Sequence, residues 1–539
     1  MNKKKIKIGL ENFKTYIEGD YYYVDKTDFI RELITDHKIV NLITRPRRFG
    51  KTFGLSMLRC FFEIDKNKEN ERLFTGLKIT EYPEYINHLG KYPVIHLSFK
   101  GAKRLTLEQS IRHICTMISD EYFRHKEAVS SYEARLSQIN AIRNYNEDIS
   151  YYYDSIYLLS QILYDFHKVP VIILIDEYDV PLEHAFFNDY YAGMLDFIRA
   201  LFESALKTNE VLEFAVLTGC LRISKDRYSK YFGFTEAEVW QIIQYYELKD
   251  TLYEEIKDWY NGYHFGNEEI YNPWSVLQAV DSAVHDEPQY LEPYWSNTSS
   301  NLIVRSLLDH ADANTKEEIE ELLRGGFVQK PIMEDITYDD INREDSLWTF
   351  LYNTGYLTSD DMEFKNGIYL ANLKIPNREV KYIFENHIQK WNDKIIRDSK
   401  LEGLYKAILD GKADTIRDEI NKVLLQTISY NDYRETFYHG LVIGLLSGMS
   451  DYVLKSNAES GHGRSDVVLK HASGGGTAVI FEFKLAENGT VMEKKSREAL
   501  KQIEEMKYGT DLLHEGYEQI IKYGISFNKK RCFVSVANI

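Results

Sequence analysis

The sequence has few cysteines and no long apolar segment. Its 539 residues include only 4 cysteines, all widely separated: Cys60, Cys115, Cys220 and Cys532. No Cys-x-x-Cys pair suggests a zinc ribbon or a redox site, so we expect buried free thiols. The longest apolar stretches, such as 171–175, have the length of a core strand, and the first residues lack the apolar run of a signal peptide. The predicted location is the cytoplasm.

Basic residues are outnumbered by acidic ones. The chain has 66 Lys and Arg against 83 Asp and Glu, a net charge of -17. This balance excludes a passive nucleic-acid coat, because such binding depends on the neutralisation of many phosphates. It does not exclude a nuclease, since acidic metal ligands contribute negative charge of their own and the basic residues are numerous enough to line a local groove.

The order of apolar segments predicts an α/β architecture. Four strand-like runs alternate with helical patterns in the N-terminal part: 39–44, 92–99, 171–175 and 213–218. Such alternation is typical of a parallel sheet with helices on its faces. The next segment, 236–330, has a largely helical pattern, and a helix, a turn, a strand pair and a helix over 347–384 predict a winged-helix-like module. The glycine-rich segment 473–477 lies between two strand-like runs and predicts a hairpin loop.

The first strand-like run leads into Arg45-Pro-Arg-Arg-Phe-Gly-Lys-Thr52, which has most features of a P-loop. Gly50 would allow close backbone approach, Lys51 would reach the β- and γ-phosphates, and the Thr52 hydroxyl would bind magnesium. The helix predicted over 53–62 would direct its positive N-terminus at the phosphates. We assign Arg48 to the same nucleotide site. Arg45 replaces the usual leading glycine, so a site for another anion is the alternative for this loop.

A second motif favours the nucleotide interpretation. The buried strand-like run 171–175 ends in Asp176 and Glu177, where Asp176 would orient the magnesium shell and Glu177 would polarise the attacking water. Two solvated acids at a strand end are the alternative, but a Gly-Lys-Thr sequence upstream on the same predicted sheet argues against it. The strand that intervenes between the two motifs is typical of additional-strand ATPases.

The next strand-like run ends at Thr218, with Arg222 shortly after it. Thr218 is in position to sense the γ-phosphate. Arg222 would serve as a charge-stabilising finger, within the chain or across a subunit boundary. A structural turn residue and a surface arginine are the alternative interpretations of these two positions.

The C-terminal part contains a second set of catalytic residue types. In Ala478-Val-Ile-Phe-Glu-Phe-Lys484, alternation places Glu482 and Lys484 on one face of a strand. Asp466 precedes another predicted strand, 467–470, and the hairpin loop would return the chain so that Asp466 and Glu482 become neighbours. Two or three carboxylates with a lysine are what metal-dependent phosphodiester hydrolysis requires. A solvated Glu and Lys pair is the alternative.

The chain resembles AAA-like ATPases, common in bacteria, that are fused to a C-terminal nuclease-like domain. The likeness spans almost the whole sequence and rests on these motifs: Tyr23-Val-Asp-Lys-Thr27, Arg45-Pro-Arg-Arg-Phe-Gly-Lys-Thr52, Ile175-Asp-Glu-Tyr-Asp179, Leu217-Thr-Gly219, Phe232-Gly-Phe-Thr-Glu236, Trp259-Tyr-Asn-Gly-Tyr263 and Tyr271-Asn-Pro-Trp-Ser275. In that family the leading glycine is also commonly replaced. We accordingly divide the chain into an ATPase domain (1–235), a helical and winged-helix-like region (236–395) and a nuclease-like domain (396–539).

Within the last part, Asp466, Glu482 and Lys484 occupy the motif positions of the PD-(D/E)XK nuclease superfamily, which they resemble. The resemblance implies that Glu435, on the preceding helix, is an accessory metal ligand. It also implies that Gln502, on the following helix, helps to place the substrate or the water. Three further polar residues are interpreted as structural or surface residues: His439, Glu459 and Arg464.

Together these motifs predict an ATP-dependent or ATP-regulated, metal-dependent DNA nuclease. The expected cofactors are ATP and Mg²⁺, with Mn²⁺ as an alternative at the nuclease site. DNA is the expected partner, no membrane is involved, and a homo-oligomer is compatible with the resemblance. Defence against phage or mobile DNA is the context that the family implies. The alternatives are a nucleotide-dependent switch or scaffold whose nuclease-like domain binds a partner without cutting, and an RNA nuclease.

Overall fold

Four parallel strands form the first sheet of the computed structural model: β1 (Val40–Thr44), β2 (Val94–Ser98), β3 (Val171–Asp176) and β4 (Leu212–Gly219). Their order in the sheet is β1, β4, β3, β2. Every residue of β3 is buried, which explains its unbroken apolar sequence. In sequence β2 separates the strands that carry the two nucleotide motifs, whereas in the sheet β4 lies between them. The predicted parallel, additional-strand sheet is confirmed.

Ten α-helices accompany this sheet among the residues that the structure describes up to position 220. Apolar side chains of the helix that follows β1, among them Leu55 and Leu58, pack with Ile172 and Leu174 of β3 in one core cluster. The helices are α1 (Phe13–Glu18), α2 (Asp28–Thr35), α3 (Lys51–Phe62), α4 (Pro83–Ile86), α5 (Leu107–Arg124), α6 (Lys126–Ser130), α7 (Leu136–Arg143), α8 (Ser155–His167), α9 (Val180–Phe187) and α10 (Tyr191–Leu206).

The middle of the chain is mainly helical, as predicted, and its first helix starts with a capping box between Thr235 and Glu238. A short antiparallel hairpin, which the sequence analysis did not foresee, interrupts it. A three-stranded sheet follows, and the winged-helix assignment stays a prediction. The elements are α11 (Glu236–Tyr246), α12 (Asp250–Tyr260), β5 (Tyr263–Phe265), β6 (Glu268–Ile270), α13 (Pro273–His285), α14 (Ala313–Leu323), β7 (Val328–Ile332), α15 (Ser346–Asn353), β8 (Met362–Lys365), β9 (Ile368–Leu373) and α16 (Arg378–Asp398).

The C-terminal part contains a mixed five-stranded sheet with the strand order of the sequence. The two central strands, β12 and β13 below, run parallel, and the other neighbouring pairs are antiparallel. The nuclease-like α/β fold is thereby confirmed. Its elements are α17 (Glu402–Leu409), α18 (Ala413–Gln426), α19 (Glu435–Leu446), β10 (Tyr452–Ser460), β11 (Gly463–His471), β12 (Gly476–Leu485), α20 (Met492–Glu505), α21 (Thr510–His514), β13 (Tyr517–Asn528) and β14 (Arg531–Asn538).

Seven short 3-10 helices complete the described secondary structure: Glu71–Phe74, Lys78–Glu81, Phe99–Gly101, Ile149–Tyr151, Ser229–Tyr231, Tyr294–Asn297 and Gly489–Val491. By internal packing the described residues form two units, one from 1–301 with 329–381 and one from 302–328 with 382–539. The boundaries at 235 and 395 stay predictions. The structure describes residues 3–220, 228–266, 268–285, 291–297, 312–333, 346–398, 401–427, 434–460 and 463–538.

No helix in these described ranges is long and apolar enough to cross a membrane. All four cysteines are free thiols, as predicted; Cys115 and Cys532 are buried, whereas Cys60 and Cys220 are only partly buried.

Candidate nucleotide-binding and nuclease sites

The P-loop, residues 45–50, connects β1 to α3. Gly50, the residue before the helix, has a left-handed φ of 83°, which glycine adopts without steric cost. Arg48 also has a left-handed φ, of 72°. This sharp turn brings the chain from the sheet edge directly into α3, so that the N-terminus of the helix adjoins the loop. The local geometry is that of an anion-binding turn.

Lys51, the first residue of α3, is buried and bonded to the loop itself. Its Nζ donates to the carbonyl oxygens of Arg45 at 2.7 Å and of Pro46 at 2.9 Å. A third neighbour is Cys220, whose Sγ lies 3.6 Å from the same nitrogen. The P-loop carbonyls therefore satisfy the ammonium group, and a phosphate would have to replace them.

Asp176 contacts two other predicted site residues, Thr52 and Thr218, at the end of β3. Its side chain is fully buried. One carboxylate oxygen accepts a hydrogen bond from the Thr52 hydroxyl at 2.8 Å, and the other accepts one from the Thr218 hydroxyl at 2.6 Å. Thr52 and Asp176 are the hard oxygen donors that Mg²⁺ prefers, and they already lie side by side. These two residues therefore fit a magnesium ion and would hold it.

Glu177 follows Asp176 with a left-handed φ of 52°. Its backbone N–H lies 3.3 Å from the Thr218 hydroxyl oxygen, so the same threonine contacts both acidic residues. Burial raises the pKa of the Glu177 carboxyl, and the Lys51 charge opposes part of that shift. A raised pKa makes the carboxylate a stronger base, which suits the predicted role in activating water.

Two arginines are predicted to belong to the nucleotide site, and the structure describes one of them. Arg48 places its guanidinium 4.1 Å from the centre of the Trp274 ring. Arg222 lies outside the described residues. Their assignments to the nucleotide site stay predictions.

The nuclease residues come together on two neighbouring strands. Asp466 lies within β11, which corrects the prediction that it precedes a strand; the ladder with β10 extends pairing beyond it. Its Oδ2 accepts the Phe483 backbone N–H at 2.7 Å. Glu482 on β12 is 3% exposed, and Lys484 Nζ lies 3.4 Å from its Oε1. The predicted neighbourhood of Asp466 and Glu482 is confirmed.

Glu482 is the electrostatic centre of this site. Gln502, on α20, donates from Nε2 to Glu482 Oε1 at 2.5 Å. Burial raises the pKa of Glu482 to about 7, the negative charge of Asp466 adds to the rise, and Lys484 opposes it. The second oxygen, Oε2, is buried and has no hydrogen-bond partner among the described residues. A divalent cation fits here, because it would satisfy this oxygen and offset the repulsion between the two carboxylates.

No cluster of three His, Cys, Asp or Glu side chains in the described ranges is arranged to hold a metal. Asp466 and Glu482 would hold the cation as a pair. Two carboxylates suffice for Mg²⁺ when water and substrate phosphate supply the remaining ligands.

Helix α19 approaches the site through His439. Its Nε2 lies 3.0 Å from the carbonyl oxygen of Asp466, and its ring packs against Phe483. Glu435, the first residue of α19, is exposed, and its role as a metal ligand stays a prediction. The spacing of four residues between Glu435 and His439 places both on one helix face, which was the signal that could have assigned His439 to the site.

Comparisons with known proteins agree with both geometries. Residues 7–228 match the family model described as predicted AAA-ATPase, which makes the first region an AAA-ATPase-like P-loop domain. Residues 433–536 match the model of the PD-(D/E)XK nuclease superfamily. The chain is therefore an AAA-like ATPase domain joined to a C-terminal PD-(D/E)XK nuclease-superfamily domain. This pair of domains supports a nucleotide-dependent nuclease in general.

One curated relative aligns along nearly the whole chain. It is an uncharacterized protein in the vnfD 5' region of Azotobacter chroococcum mcd 1. The two sequences are 25% identical over 570 residues, which cover 98% of this chain and 97% of the relative. The similarity thus runs through both domains and the region between them.

Proposed function

We propose that this protein is an ATP-dependent or ATP-regulated, metal-dependent DNA nuclease. The observation that carries the proposal is the site formed by Asp466, Glu482 and Lys484, in which a buried Glu482 oxygen has no partner among the described residues. A buried carboxylate oxygen costs free energy unless a cation or a donor satisfies it.

In the nucleotide site, the P-loop and Lys51 bind the phosphates of ATP, and Thr52 and Asp176 hold Mg²⁺. A bound Mg²⁺ would offset the negative charge of the phosphates. Glu177 orients and deprotonates the attacking water. Thr218, which links Asp176 and Glu177 by hydrogen bonds, senses the γ-phosphate in this proposal.

In the nuclease site, Asp466 and Glu482 hold the divalent cation, for which Mg²⁺ is proposed and Mn²⁺ is an alternative. The cation stabilises charge on the scissile phosphate. Lys484 orients the attacking water or stabilises the developing negative charge. Gln502 positions the Glu482 carboxylate through its hydrogen bond. Deoxyribose is not distinguished from ribose by this set of residues, so RNA is the competing substrate.

The proposed setting is defence against phage or mobile DNA, in the cytoplasm. This part rests on the resemblance to bacterial ATPase–nuclease fusions. Growth of phage on cells with and without the gene product would test it. Equal phage yields would remove the defence assignment and leave the biochemical proposal intact.

The deciding experiment is cleavage of supercoiled DNA, linear DNA and RNA by the purified protein with Mg²⁺ or Mn²⁺, with and without ATP. A Glu482→Ala variant is the control. Metal-dependent DNA cleavage that changes with ATP and disappears in the variant supports the proposal.

Two other outcomes favour the alternative functions, and a third assigns the activity to another site. ATP hydrolysis without cleavage of any substrate favours the nucleotide-dependent switch or scaffold. Cleavage restricted to RNA overturns the choice of substrate. Cleavage that persists in the Glu482→Ala variant places the activity outside the candidate nuclease site.

A further inference from the structure

Aromatic side chains from the middle of the chain border the P-loop. The Arg45 guanidinium lies 4.4 Å from the centre of the Phe265 ring, and the Arg48 guanidinium lies 4.1 Å from that of Trp274. Both distances are within the range of cation–π attraction. Burial lowers the pKa of Arg45 to about 9, so its guanidinium remains charged at neutral pH. Phe265 belongs to β5 and Trp274 to α13.

Phe49 adds an apolar contact to the same elements. It is fully buried, and its ring packs edge-on against Tyr263 at 5.0 Å and Phe265 at 5.4 Å between centroids. Such T-shaped pairs restrict ring orientation as well as burying area. The hairpin of β5 and β6 therefore contacts the loop through two different loop side chains.

The turn after α15 provides a third support. A Cβ at Gly355 would lie 2.6 Å from Cγ of Pro46, and Gly355 has a left-handed φ of 83°. Only glycine allows the turn to come this close to the loop. Four of the five residues from Arg45 to Phe49 thus contact a side chain from elsewhere, since Arg47 pairs with Glu183 at 2.5 Å, and Pro46 lies against the backbone of Gly355.

These contacts bear directly on Lys51. The two carbonyl oxygens that accept its hydrogen bonds belong to Arg45 and Pro46, which are themselves anchored by Phe265 and Gly355. The backbone path of the P-loop therefore determines where Lys51 finds its two carbonyl acceptors. In a glycine-rich loop the backbone conformation alone sets the path of the chain. In this loop the side-chain contacts of residues 45–49 set it.

From this geometry we infer that Phe265 and Trp274 are positioning residues of the nucleotide site, which hold the P-loop in shape through the stacked guanidinium groups of Arg45 and Arg48. Arg45, in place of the leading glycine, is then an anchor of the loop. The inference rests on the nucleotide-binding part of the proposed function. It assigns to the middle region a role in ATP binding.

The test compares the full-length wild-type protein with Trp274→Leu and Trp274→Phe. Trp259→Leu is the matched control, because Arg378 stacks on Trp259 at 4.7 Å in the same unit without touching the P-loop. Arg48→Met removes the stack from the loop side and serves as a second variant if Trp274→Leu does not fold. Three quantities are measured: hydrogen exchange of the backbone amides of 45–52 without nucleotide, the Kd for Mg-ATP by calorimetry, and turnover at saturating ATP.

We expect Trp274→Leu to weaken Mg-ATP binding about tenfold, the size of one cation–π contact. Loop amide exchange should rise by a similar factor, roughly tenfold, because local opening becomes easier. Turnover at saturating ATP should change by less than about threefold, since the residue touches the loop and not the reacting atoms. Trp274→Phe should restore most of the affinity, and Trp259→Leu should match the wild type.

Wild-type loop exchange and affinity in Trp274→Leu would overturn the inference while leaving ATP binding intact. Weak binding in Arg48→Met together with normal binding in Trp274→Leu would also overturn it, because Arg48 would then act on phosphate directly. A wild-type protein that binds no Mg-ATP would remove the proposed function first, and the inference with it.

Discussion

The two candidate sites each contain an almost inaccessible carboxylate at a strand, but the surroundings of the two carboxylates differ. Asp176 accepts a threonine hydroxyl on each of its oxygens. Glu482 has Gln502 and Lys484 on one oxygen, while the other has no partner among the described residues. Both oxygens of the Asp176 carboxylate therefore have hydrogen-bond donors from the protein itself. In the proposed function, a cation would bring the second Glu482 oxygen to the same condition.

This difference in hydrogen-bond partners between Asp176 and Glu482 corresponds to the different functions proposed for the two sites. The two hydroxyl hydrogen bonds hold the Asp176 carboxylate in place without a ligand. The raised pKa of Glu482, about 7, means that protons compete with the metal near neutral pH. Replacing each carboxylate by its amide should therefore have opposite effects on stability.

The largest expected effect is on cleavage. Glu482→Gln keeps the shape of the side chain but removes its charge, so metal-dependent cleavage should fall by roughly a hundredfold or more. Initial rates on linear DNA with Mg²⁺ measure it. Glu487→Gln, at an exposed carboxylate nearby on the chain, is the control and should cleave normally. Unchanged cleavage in Glu482→Gln would remove this residue from the site.

The next effect is on the stability of the metal-free protein. Folding raises the pKa of Glu482 from 4.5 to about 7, so the folded state binds the proton more tightly than the unfolded chain. Wild-type stability should therefore fall, relative to Glu482→Gln, as pH rises through this window, and the gap should stay constant above it. At its full size the gap amounts to roughly 3 kcal/mol.

Thermal unfolding of both proteins in EDTA, over a pH series, measures this difference. Above neutral pH, added Mg²⁺ should raise the stability of the wild type towards that of Glu482→Gln, because the cation stabilises the ionised carboxylate. A pH-independent difference between the two proteins would show that desolvation of Glu482 is not the dominant cause.

Amidation of the other carboxylate should destabilise the protein. Asp176→Asn weakens two charge-assisted hydrogen bonds from Thr52 and Thr218 in a fully buried position, at a cost of about 1–3 kcal/mol. Chemical unfolding followed by fluorescence measures this loss of stability. A gain in stability would break the contrast between the two sites.

The smallest effect concerns a supporting residue. Gln502→Ala removes the hydrogen bond to Glu482 Oε1 and should lower cleavage about tenfold, with a weaker apparent affinity for Mg²⁺. A titration of cleavage rate against Mg²⁺ concentration separates affinity from turnover. Lys501→Ala, at the exposed neighbouring position on α20, is the control. Equal metal dependence in both variants would assign Gln502 to substrate contact instead.

Local sequence patterns predicted most of the elements that carry these sites. The four N-terminal strands, the helix after the P-loop and the hairpin loop at 473–477 appear where the apolar spacing and the glycines placed them. The partial exception is Asp466, which the structure includes in β11. Strand ends are hard to predict because pairing with a neighbour, and not local preference, decides where a ladder stops.

The sequence by itself determined the α/β class and the residue types of the two candidate sites, since residue types at fixed spacing and apolar periodicity are local properties. Tertiary structure alone decided which side chains contact each other: Thr218 contacts Asp176, Gln502 contacts Glu482, and Trp274 contacts Arg48. Each of these pairs joins residues distant in the chain, and their contact depends on strand order and helix packing. Burial, which sets the pKa of Glu482, is likewise a property of the folded whole.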